Sequence, residues 1–323
     1  MGTVIRRWES GRPRGTPHVE IVCDESGFAG GNLVGGHVPV FAHASVRIGH
    51  AEAAEVIAGL RRRMDGGPSG ELKAGAVLRP RHRDLVRDLL GPDGPDARVH
   101  LIDPVRFTLA RLCDLLGGQE VRGTDLPGRG SEARRAALTL HVQGPKTYGR
   151  ERWHRFLTAA SDLMRTNTRW TPREPLAPFA AALDDLLSTP GEVADVLRPM
   201  RDRLPAAAAV RAALKADPKR ATLLEPVVPA LGRAAAMWMP PGGTLAITHD
   251  DQSAITPERI AAIAAGTGLV EVTLVDSRTD PRVQVADLIA GIARHLAGST
   301  GDDLAPMLLP ILDPESRGMI DPP

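Results

Sequence analysis

The sequence predicts an α/β protein, a mixed sheet flanked by helices and interrupted by a mainly helical insertion. Three observations predict it. Short apolar runs of strand length, several closed by an acid, occur toward both ends of the chain. Apolar stripes at helical spacing alternate with them. Between residues 117 and 242 the strand-like runs give way to Ala-, Leu- and Pro-rich segments of helical texture.

Taken in order, residues 1–17 are polar, rich in Arg and Gly, and read as a loose arm. His18 to Asp24 (HVEIVCD) reads as a buried strand. ESGFAGGN then supplies a glycine turn, and Val38 to Ile48 the hairpin partner. Ala51 to Met64 carries Ala54, Ile57, Leu60 and Met64 on one helical stripe, and Arg81 to Leu90 is a shorter helix. RVHLID (Arg98 to Asp103) is a third strand and Val105 to Leu116 a helix, so residues 18–116 form the first part of the core. In 117–242, LTLHV (Leu138 to Val142) reads as one more strand. The rest reads as short helices such as WHRFLTAASDLM, FAAALDDLL, VADVLRPMRDRL and AAAAVRAALK. No period recurs, which indicates an insertion or cap rather than a repeat array. Residues 243–297 complete the core: strand Gly243 to His249, helix Pro257 to Ala265, strand Val270 to Asp276, and helix Val283 to Leu296. A Pro-rich tail, 298–323, is poorly specified.

Composition narrows the function. Over 323 residues, 42% apolar and 24% charged residues exclude a disordered chain or a membrane bundle, and 3% aromatics leave Leu, Val, Ile and Ala to build the core. The net charge of +1 provides no global attraction to phosphate, so any basic patch is local. Only four of the 40 basic residues are Lys (Lys73, Lys146, Lys215, Lys219), an Arg-heavy bias expected of a GC-rich genome. Cys23 and Cys113 are too few for a disulfide framework or a zinc site, which suggests a reducing compartment. MGTVIRRWESGRPRG has no apolar leader core, and no run of about 18 apolar residues occurs. A cytoplasmic protein without membrane association is expected. P-loop, GxGxxG and GxSxG patterns are absent.

Four acids punctuate the core elements. Asp24 ends the first strand, Glu71 sits in the glycine-flanked ELKAG, Asp250 ends TLAITH, and Asp287 lies near the start of the last helix. Singly, each also fits a turn former, a cap or a solvated charge. Together they match what two-metal phosphodiester chemistry requires, because two Mg2+ ions about 3.5–4 Å apart need carboxylates converging from separate elements.

The segments DESG (24–27), ELK (71–73), HDDQSA (249–254), DS (276–277) and QVADLIAG (284–291) together resemble the bacterial domain-of-unknown-function 3800 family, classed as ribonuclease H-like. The likeness covers both ends of the chain and leaves the helical middle unmatched. It implies a ribonuclease H-like mixed sheet, with Asp24, Glu71, Asp250 and Asp287 as catalytic ligands of two Mg2+ or Mn2+ ions. It also implies a nucleic-acid substrate, DNA or RNA. One departure is that Glu71 follows the first helix in a Gly-Pro-rich stretch, whereas the corresponding Glu of ribonuclease H lies within a helix after three strands.

Supporting residues follow from position. Asp251 competes with Asp250, since neighbours on a strand face opposite ways. Gln284 and Asp287 share a helix face, with Gly291 one turn further on, where it lets the helix pack closely. Ser26 is either a group behind the ligands or a turn former, and Asp276 with Ser277 caps the next segment or supports the ligands. Lys73 pairs with Glu71, meets a phosphate, or is solvated. In KTYGRERWHRF (146–156), Trp153, Phe156 and Leu157 fall on one stripe and read as core rather than as a nucleic-acid platform. The expected function is metal-dependent phosphodiester hydrolysis. The alternatives are a non-catalytic module binding nucleic acid or a protein partner, as in phage defence, and a small-nucleotide phosphohydrolase.

Overall fold

The computed structural model describes residues 3–6, 15–27, 34, 40–64, 72–117, 127–128, 130, 131–165, 174–216, 223–265, 267, 269–299 and 301–320. Along the chain come β1 (Thr3–Arg6), β2 (His18–Ser26), β3 (Phe41–Arg47), α1 (His50–Arg63), α2 (Ala74–Val77), α3 (Arg83–Leu90) and β4 (Asp96–Ile102). They are followed by α4 (Pro104–Leu116), α5 (Ser131–Met164), α6 (Leu176–Leu187), α7 (Glu192–Asp202), α8 (Leu204–Ala216) and α9 (Val227–Trp238). The last are β5 (Thr244–Asp250), α10 (Pro257–Ala264), β6 (Leu269–Val275) and α11 (Pro281–Gly298). The chain divides into two units, one of residues 1–27, 40–102 and 230–323, the other of residues 28–39 and 103–229. Among the described residues no helix is long and apolar enough to cross a membrane.

The first unit is built on a mixed sheet of order β1-β6-β5-β2-β3-β4, five principal strands extended by the short β1. β2, β3 and β4 form an antiparallel meander, whereas β5 and β6 run parallel to β2. Central β2 is buried from Ile21 to Asp24, which is why its sequence is a continuous apolar run rather than an alternation. One sheet face carries Val22, Ala44, Val46 and Val99 against α1, α3 and α11, where Leu288, Ile289 and Ile292 are fully buried. Burying such side chains stabilises by about 1.5–3 kcal/mol each. α11 starts cleanly because Asp280 caps the Arg282 N–H and Pro281 occupies the first turn.

The other face of this sheet is more polar. His43 and His100 are cross-strand partners, and the His43 and His249 rings lie 5.4 Å apart. Burial is the main force holding the His43 imidazole well below its ordinary pKa, with His249 and His100 adding to it. Trp238 of α9 donates its indole N–H to Ser45 Oγ at 2.8 Å.

Two segments read as unstructured are part of this unit. Thr3–Arg6, inside the expected loose arm, forms edge strand β1 against β6. Residues 301–320 of the expected Pro-rich tail pack along the opposite edge, with Val99 N–H donating to Ile311 and Asp313 N–H donating back to Val99. Asp313 is buried and takes two bonds from Arg233 (2.5 and 2.6 Å) and one from His100 (2.8 Å), while Ser316 Oγ accepts the Leu101 N–H. Leu304, Leu308 and Leu312 of the same segment are buried in the core beside these polar contacts.

The second unit is helical. α4 is buried along most of its length and is capped by Asp103. α5 is broken at Gly149, whose φ of 75° and ψ of 160° interrupt the helix where a side chain would strain. LTLHV, expected as a strand, lies inside α5. The buried residues there are Ala137, Leu140, Gly144 and Tyr148, at helical spacing, and Leu138 and Val142 are exposed. The surrounding Ala-rich sequence favours helix over the local β-branched signal. Trp153, Phe156 and Phe179 stack in the interior of this unit, as the stripe predicts. Arg211 donates to the carbonyls of Asp162, Leu163 and Arg165 and closes the end of α5.

Candidate metal centre

Strand register brings two of the acids together. Val22 pairs with Thr248 and Cys23 with His249 on parallel neighbours β2 and β5. The next step along both strands sets Asp24 beside Asp250 on the same sheet face, with strands about 4.8 Å apart. β5 alternates between buried and half-buried positions, placing His249 on the polar face and Asp250 on the face that α11 covers. Asp251 is exposed and uses its backbone N–H to bond Val275, leaving Asp250 as the acid on the Asp24 face.

α11 delivers the third acid. It packs on β2 and β3, and its Asp287 side chain is only 15% exposed. Gly291, one turn later, is required there, because a Cβ at this position would stand 2.4 Å from the Cβ of Ala74 and 3.9 Å from Ser26 Oγ. The glycine thus lets α11 settle against α2 and the end of β2, as the sequence suggests.

Asp287 and Asp250 both act on Asp24. Asp24 is 5% exposed, and its carboxyl is pushed up to about 9. Burial is the main cause, followed by the negative charges of Glu25, Asp287 and Asp250, against one stabilising bond from the Glu25 N–H. Asp250 Oδ1 accepts the Ser277 N–H at 2.8 Å, and Asp287 Oδ2 lies 3.2 Å from Lys73 Nζ.

The other candidates take varied places. Glu71 lies outside the described residues. Ser26 lies beside the Gly291 approach. Gln284 is 7% exposed, and its Oε1 has no hydrogen-bond partner among the described residues. Asp276 turns away to Arg278, whose guanidinium and N–H lower its pKa to about 2, and its carbonyl accepts the Thr279 N–H in a turn. Sequence reasoning passed over Glu25. Its Oε1 accepts from Gln252 Nε2 at 2.6 Å, tying the end of β2 to the segment after β5, and its Oε2 lies 3.7 Å from His249 Nε2. Strand alternation sets it on the face opposite Asp24, a signal present in DESG.

Among the described residues, no three His, Cys, Asp or Glu side chains are assembled into a ready metal cage. The donor chemistry nonetheless fits a hard divalent cation. The donors are all carboxylate oxygens from separate elements, and the Asp24 carboxyl is raised by burial and then by neighbouring negative charges that a cation would offset.

No family model matches the chain, and neither the curated proteins nor the solved structures contain a match to it.

Proposed function

We propose that the α/β unit is a ribonuclease H-like domain that hydrolyses phosphodiester bonds in nucleic acid with Mg2+ or Mn2+. The observation that carries this reading is the placement of Asp24 and Asp250 side by side near the ends of parallel strands, with Asp287 acting on Asp24 from α11. An antiparallel meander continued by two strands parallel to β2 supports the fold assignment, being the kind of mixed sheet that the resemblance implies.

Divalent ions, when bound, supply an activated water and stabilise the leaving oxygen. The chain's own residues have separate tasks. Asp24 and Asp250 would hold the cations from the strands and Asp287 from the helix. The Ser277 N–H fixes the Asp250 carboxylate, and Asp24 would have to be ionised to serve as a ligand. Glu71, on the segment leading to α2, is the fourth ligand in this reading.

The test is incubation of the full chain with end-labelled single-stranded RNA, single-stranded DNA and duplex DNA in Mg2+, Mn2+ or EDTA. Metal-dependent cleavage is expected. Asp250→Asn should lower it by about 100-fold or more, and Asp251→Asn should leave it near wild type. A protein that binds strands but cuts none in either metal is a binding module. One that releases phosphate only from free nucleotides is a small-nucleotide hydrolase.

A further inference from the structure

Lys73 is 60% exposed, and its ammonium reaches across to Asp287. Its backbone is held firmly. Leu72 and Ala74 on either side are 3% and 9% exposed, and Ala74 opens α2 against Gly291, four residues beyond Asp287 on α11. The close approach that Gly291 permits therefore fixes both halves of the ion pair, with the Lys73 backbone on one side and the Asp287 helix on the other. The four-carbon stem of the lysine carries the ammonium across to Asp287.

An ammonium has three donors and no lone pair, so it offsets the charge of a carboxylate, cannot itself ligate a cation and repels one that approaches. The pair is exposed on the lysine side, which makes it weak and readily exchanged. A cation drawn to the three carboxylates meets a positive charge already placed on one of them. We propose that Lys73 is the resident counter-ion of the acid cluster, seated on Asp287 in the metal-free protein and displaced from it when a divalent cation enters. This inference rests on the reading of these carboxylates as metal ligands. It adds that metal entry is a charge exchange, in which one lysine leaves and becomes available beside the site.

The experiment is Mn2+ titration of the full chain, with free Mn2+ read by electron paramagnetic resonance, for wild type, Lys73→Gln, Asp287→Asn and the double variant. Melting in EDTA confirms that each is folded. Lys73→Gln should bind Mn2+ about two- to fivefold more tightly, the range set by an exposed ion pair. The gain should vanish in the Asp287→Asn background. Wild-type binding that Lys73→Gln leaves equal or weaker overturns the counter-ion role while the metal reading stands. A gain that persists without Asp287 overturns it as well. No Mn2+ binding by either wild type or Lys73→Gln overturns the metal reading itself, and the inference with it.

Discussion

Replacing Asp24 with Asn should make the metal-free protein more stable. The folded state holds the Asp24 proton up to about pH 9, whereas an unfolded chain releases it near the ordinary value of 3.8. Because the folded pKa is raised, the folded state binds more protons across that window, and stability declines as pH rises through it. The loss grows by about 1.4 kcal/mol per pH unit, reaching about 4 kcal/mol at pH 7 as an upper figure. Asn keeps the shape and an oxygen for the Glu25 N–H but carries no charge to bury. With a melting shift of about 2–4 °C per kcal/mol for units of this size, Asp24→Asn should melt several degrees higher at pH 7. At pH 4 the gain should nearly disappear. The assay is thermal melting in EDTA from pH 4 to 9. The same variant should lose metal-dependent cleavage. A lower melting temperature at pH 7, or a difference that does not change with pH, would refute the electrostatic argument and leave Asp24 a structural turn residue.

Three further outcomes are expected. Mn2+ binding at pH 7 should release close to one proton, since Asp24 must ionise to coordinate, and calorimetry in buffers of different ionisation enthalpy should show it. Gly291→Ala should destabilise the α/β unit by about 1–3 kcal/mol in urea unfolding through its clash with Ala74, and adding Ala74→Gly should restore part of the loss. Asp313→Ala should cost about 3–5 kcal/mol by leaving Arg233 and His100 without their shared acceptor. Arg233 and His100 hold the Asp313 carboxyl well below the usual range against the opposing effect of burial. The part of the stability due to this network should therefore be present above pH 3.8 and fall away below it.

The parts of the fold legible in the sequence are those encoded by apolar periodicity. HVEIVCD, TLAITH and the QVADLIAG helix announce β2, β5 and α11, and each lies beside one of the candidate acids. That only one of Asp250 and Asp251 can share the Asp24 face was legible from strand alternation, whereas the preference for Asp250 came from the family resemblance. What periodicity could not encode was long-range polar closure. The tail buries Leu304, Leu308 and Leu312 at a spacing of four, but its prolines mask that stripe. Its closure on β4 runs through Asp313 and Ser316, while β1 is only four residues long. LTLHV failed for the opposite reason, a local β-like pattern overridden by helix-forming neighbours. Glu25 was hidden by its place beside Asp24, since attention to one face of a strand discards the residue on the other.

Both borders of the sheet are hemmed by sequence-distant chain, β1 along β6 and residues 311–313 along β4. An exposed strand border is a template for pairing with another molecule. Trimming residues 3–6 or 301–320, or fusing a bulky partner there, therefore does more than remove surface. It strips a selvedge from the sheet and invites molecules to stitch together along it, so a shortened chain would be expected to self-associate even while its acid cluster keeps its shape.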